Sequence, residues 1–265
     1  MVADSRRRGV DGGWSQINNF LMKPVFAALG LLAAVVTLAA EKAPVATKAP
    51  VTAAKAPVAE KGYELQEVRV GKATLKLPIP KAFVAVGRDE DWSKAFYERF
   101  ENLTQDPRKA VRFVFVRLTP AHLARCREEQ NLGTGLDCWG TVQGQVAERE
   151  YDQAAFAKIA DAVAAEFKQN GIDGVRKTIR REVKDEEFNR VLGELGSPMV
   201  IERNDRSIQF LMPSGPNLIL GGYVLVEGKL FNIYLQRPKA EAREMMVMMD
   251  DWIAEILKAS PATRK

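Results

Sequence analysis

Three side chains in this sequence have types and spacing that could do chemistry together. His122 is the sole histidine; it precedes Cys126 by four residues, and Cys138 follows after Gly133-Thr134-Gly135. Helical spacing puts His122 and Cys126 one turn apart. An imidazole beside a thiol is the pattern of an activated nucleophile, and with the second thiol it offers three metal ligands. A structural zinc site needs a fourth ligand, and none stands at a fitting spacing, so no metal or cofactor is assigned. A Ser-His-Asp triad finds no G-x-S-x-G elbow. In an oxidising compartment the simplest chemistry for two cysteines is a disulfide between Cys126 and Cys138. Closing that loop would stabilise the fold by roughly 3 kcal/mol in the chain-entropy account. His122 is then expected on the surface of a short helix, and no catalytic residue is assigned.

Other charged groups offer less. Acid pairs stand at Glu148/Glu150, Asp185/Glu186/Glu187 and Asp250/Asp251. Paired carboxylates do acid–base work when burial separates their pKa values, but adjacent acids on helices usually face solvent. Arg176, Lys177, Arg180 and Arg181 could bind phosphate, yet Glu182 to Glu187 follow at once and can neutralise them along a helix. Gly193-Glu194-Leu195-Gly196 lacks the lysine and spacing of a phosphate loop.

Charge is distributed unevenly. Residues 1–62 hold eight Lys/Arg and four Asp/Glu, while the remaining 203 residues are almost balanced, within a total of +5. The basic excess therefore lies in the leader, which argues against nucleic acid as a partner of the folded part. Pro24 to Ala40 is an uncharged apolar run preceded by Lys23 and, further upstream, Arg6, Arg7 and Arg8. As a helix it would be roughly 25 Å long, the lower edge of a membrane span. Upstream positive charge would keep the N-terminus in the cytoplasm and send the rest across. The run reads as a cleaved secretory signal, with Met22 as a candidate start, or as an uncleaved inner-membrane anchor. Both routes place the domain in the periplasm, with secretion a further outcome of cleavage. Residues 41–62 repeat Lys-Ala-Pro-Val three times. Regular proline favours an extended spacer, which could reach roughly 70 Å.

Residues 63–260 are expected to form a single domain, followed by a short tail at 261–265. Leu65–Val70 and Ala73–Leu77 flank Gly71-Lys72 as a tight hairpin. Asp91 to Asn102 has helical spacing, Ala110–Leu118 reads as a strand, and Thr119-Pro120 opens a short helix. The residues from 119 to 150 look like an insertion. Phe156, Ile159, Ala160, Val163 and Phe167 form one stripe of a helix from Asp152 to Gln169, and a short helix is expected over 183–193. Then the period switches to two. Met199–Asn204, Ser207–Met212, Asn217–Val226 and Lys229–Arg237 read as four strands whose short links suit antiparallel neighbours. Pro238 starts a last helix with the stripe Met245, Met248, Met249, Trp252, Ile253 and Ile256. The fold class is α+β: an antiparallel sheet flanked by helices in α/β/α layers.

The hairpin followed by Leu77-Pro78-Ile79-Pro80-Lys81-Ala82-Phe83, with a closing order of strand, long hairpin and terminal helix, resembles the PsbP-like superfamily. That superfamily includes photosystem accessory proteins and exported bacterial proteins. The resemblance implies an antiparallel sheet between helices and a role in binding or assembly. It transfers no site residue. The leading expectation is thus an exported, non-catalytic accessory domain with another envelope protein as partner, touching the membrane through 24–40 if uncleaved. The alternatives are a periplasmic hydrolytic or redox enzyme using His122, Cys126 and Cys138, and a carrier of an apolar ligand held against Met245, Met249 and Trp252.

Overall fold

The computed structural model describes residues 62–101, 110–132, 135–166 and 198–260. The leader, the spacer, the expected helix over 183–193, the basic cluster at 176–181 and the acids at 185–187 lie outside these residues. Among the described residues, no helix is long and apolar enough to cross a membrane.

Among the described residues two sheets are present. The first is the hairpin of β1 (Tyr63–Val70) and β2 (Ala73–Pro80). The second has seven strands in the order β3-β4-β5-β9-β8-β7-β6, every neighbouring pair antiparallel. Its members are β3 (Val84–Ala85), β4 (Val111–Leu118), β5 (Cys138–Gln143), β6 (Met199–Arg203), β7 (Ser207–Ser214), β8 (Asn217–Val226) and β9 (Lys229–Pro238). The helices are α1 (Asp91–Glu101), α2 (Pro120–Glu129), α3 (Gly144–Ala147), α4 (Gln153–Glu166) and α5 (Ala242–Ala259). The expected α+β class is the class observed.

The four strands read from the period-two pattern form the meander β6-β7-β8-β9. The β8–β9 link is Glu227-Gly228, with φ of 49° and 77°. Both turn residues are left-handed, as a two-residue hairpin following the strand twist requires. Apolar residues on both sides of β8 face two separate cores. Leu218, Leu220, Val224 and Val226 lie with α5 and the β1–β2 hairpin. Ile219, Tyr223 and Leu225 lie with side chains of α1, α2 and α4. The sheet is therefore covered on both faces, as its doubly apolar strands demand.

The residues from 119 to 150 supply α2, α3 and β5, and β5 is an interior strand between β4 and β9. Its sequence, CWGTVQ, hides the strand because Thr141 and Gln143 are polar yet 1% and 5% exposed. A strand buried on both faces has no polar side to reveal its period.

Close packing fixes one glycine. A Cβ on Gly221 would come within 2.3 Å of the Phe210 ring and 3.0 Å of Tyr234. Both rings are buried, Phe210 fully, so neither can swing away. Gly221→Ala should cost about 1–3 kcal/mol, the range for overpacking a filled core, and chemical denaturation measures it directly. A variant as stable as the parent would contradict this packing.

Candidate functional site

Thr119 begins α2 as its N-cap: its Oγ1 accepts from the His122 amide at 3.4 Å, and Pro120 follows at the first helical position. A hydroxyl that accepts from the first turn satisfies one of the donors left open at every helix start. Asp137, the residue before β5, reaches the same place. Its Oδ2 accepts from the Thr119 amide at 2.6 Å and from the Thr119 hydroxyl at 2.9 Å. The same oxygen lies 3.1 Å from His122 Nδ1. Its other oxygen lies 3.6 Å from Arg237 on β9. Arg237 also stacks over the Phe83 ring at 4.9 Å and approaches Glu241 at 3.8 Å. One carboxylate thus joins a helix start and two adjacent strands.

Burial would push the Asp137 carboxyl up, but this is outweighed. Hydrogen bonds from His122 and the Thr119 amide, with the positive charges of His122 and Arg237, hold it below its ordinary value. The ring of His122 is only 13% exposed and Asp137 only 14%, so the pair is largely shielded from water. Sequence reasoning placed His122 on the surface. It also missed Asp137, because nothing in the linear spacing tells that residue 137 returns beneath the start of α2.

A cleft of about 440 Å³ opens beside this pair. One stripe of α2 lines it: His122, Arg125, Cys126 and Glu129, at i, i+3, i+4 and i+7. Facing them are Asn217, Gln236 and Arg237 where β8 begins and β9 ends, while Leu132 and Leu136 give apolar surface.

The expected Cys126–Cys138 bridge is not formed: both cysteines are free and buried. The reason is the sheet itself. Cys126 packs in the core beneath α2, whereas Cys138 points from β5 into the core on the opposite face. Nor do His122, Cys126 and Cys138 assemble. Cys126 Sγ lies against the carbonyl of Leu132 at 3.7 Å, and Cys138 has no exposed surface. Burial pushes both thiols up, away from the thiolate that a nucleophile or metal ligand requires. Among the described residues, no group of three or more His, Cys, Asp or Glu side chains could hold a metal ion.

Two thiols should therefore react with a disulfide reagent only after unfolding. Titration with 5,5′-dithiobis(2-nitrobenzoate) without reductant should show slow or no reaction in the native protein and two equivalents in denaturant. A denatured protein with no reactive thiol would restore the bridge.

The acid pairs that the structure describes are surface groups. Glu148, Glu150 and Asp251 are exposed, and Asp250 accepts from Gln209 Nε2 at 2.9 Å. Met245, Met249 and Trp252, where the carrier reading expects its ligand, are 2%, 0% and 0% exposed.

No family model matches this chain, and neither the curated proteins nor the solved structures contain a match.

Proposed function

We propose that this chain is an exported binding protein of the cell envelope, whose folded domain recognises its ligand or partner at the cleft between α2 and the β8–β9 end of the sheet. One observation carries the choice of binding over catalysis. The only histidine in the chain stands in that cleft, oriented by Asp137, and the thiol one turn along the same face, Cys126, is buried. Both thiols are buried, with their pKa values pushed up, and Thr119 Oγ1 is spent on Asp137 and the α2 amide. Polar groups on rigid elements around a concave, partly apolar surface are what recognition requires.

Export rests on the apolar run from Pro24 to Ala40 and the proline spacer behind it. A spacer of that length lets the domain reach a partner away from the bilayer while remaining tethered, or follows a cleaved signal as a free arm. The resemblance to the PsbP-like superfamily agrees with a role in assembly.

The test is a crosslinking pull-down from intact envelopes, with the mature N-terminus read in the same mass-spectrometry run. The reading expects a discrete envelope partner whose crosslinks map to 122–129 or 217–238, and an N-terminus consistent with cleavage near Ala40 or with an intact anchor. Recovery of the chain only from the cytoplasm would remove it.

A further inference from the structure

The charge pattern of the cleft points to a more specific ligand. Asp137 is consumed by Thr119, His122 and Arg237, so it offers little to a guest. Arg125 and Glu129 differ. Both are exposed, both line the cleft, and neither has an ion pair among the described residues. They stand four residues apart on one face of α2, so opposite charges are separated by about 6 Å along the helix axis. Asp137 holds the His122 ring through Nδ1 at the edge of the cleft. Cys126, Leu132 and Leu136 add an apolar wall beside these groups.

We infer that this cleft binds a small zwitterion, an α-amino acid or dipeptide with an apolar side chain. Its carboxylate meets Arg125, its ammonium meets Glu129, and its side chain lies on the apolar wall. A purely anionic ligand would meet Glu129 unpaired, and a purely cationic one would meet Arg125. Only a molecule carrying both charges matches the stripe. The volume of about 440 Å³ admits one large amino acid or a dipeptide. This inference rests on the cleft being the recognition site.

Isothermal titration of the full chain, purified in detergent, with L-leucine and with leucyl-leucine tests it. One of the two should bind at a single site, and which one does separates the free amino acid from the dipeptide. Blocking the ammonium (the N-acetyl form) or the carboxylate (the amide form) should weaken binding at least tenfold. Arg125→Gln and Glu129→Gln should each do the same with an unchanged melting temperature, since both residues are exposed. The inference is overturned if neither zwitterion binds, if blocked forms bind equally well, or if both variants bind like the parent. Such a failure, alongside a crosslinked envelope partner at the same cleft, would remove the zwitterion and leave the binding-protein reading standing.

Discussion

Replacing Trp252 by alanine should be the most damaging single truncation in α5. The indole has no exposed surface, lies near Phe115 with ring centroids 6.0 Å apart, and its Nε1 donates to the Pro78 carbonyl at 2.6 Å. This one side chain therefore closes the core and ties the terminal helix to β2. Truncating a buried aromatic costs about 3–5 kcal/mol, and the abandoned carbonyl adds to it. A loss of that size lowers the melting temperature by roughly 8–15 °C in a domain of this length. Trp252→Phe separates the two contributions: it keeps most of the volume, loses the hydrogen bond, and should cost about 1–2 kcal/mol. Differential scanning calorimetry of both variants is the check. Equal losses would mean the hydrogen bond, not packing, dominates.

The second large effect is expected at Asp137. Asp137→Ala removes the acceptor of the Thr119 amide and hydroxyl, the partner of His122, and the counter-charge of Arg237. Breaking a buried charge cluster by removing one member leaves the others uncompensated and costs about 3–5 kcal/mol. The start of α2 should loosen with it, because this carboxylate is what holds the helix to β5 and β9.

The sign of the pH dependence follows. The carboxyl of Asp137 is held below its ordinary value in the folded state. The unfolded chain therefore takes up the proton first as pH falls. The contribution of Asp137 is fully present above the unfolded carboxyl pKa of about 4 and disappears as pH drops through the lower folded value. Asp137→Asn should accordingly be less stable than the parent at pH 7, and the gap should narrow steadily below about pH 4. Urea denaturation at a series of pH values reads this difference, and a constant gap down to pH 2 would contradict the network.

Much of the architecture could be read from residue pattern, and the reasons are local. Glu227-Gly228 between two apolar alternations marks a hairpin because a two-residue turn needs left-handed backbone. Thr119-Pro120 marks a helix start because the cap and the proline both serve unfilled donors there. The Phe156–Val163 stripe marks a helix buried on one face. β5 escaped because Thr141 and Gln143 are polar but interior, and a hydrophobic pattern cannot report a polar side chain that is buried. The site was legible only in half. His122, Cys126 and Cys138 stood out by type, yet a period-two strand decides that neighbouring residues face opposite ways. Asp137 faces α2 while Cys138 faces the other core, and linear spacing between cysteines carries no information about that. Asp137 and Arg237 come together only because β5 pairs with β9 in the sheet, a contact that spans about half of the domain in sequence.

The binding reading requires that the domain stand on the far side of a membrane. Fusing an alkaline phosphatase reporter, which folds only under oxidising conditions, after Lys61 measures this directly. The full leader should give an active enzyme, and deletion of residues 24–40 should abolish activity. A reporter equally inactive with and without that stretch, in cells that export a control fusion, would place the domain in the cytoplasm and contradict the account.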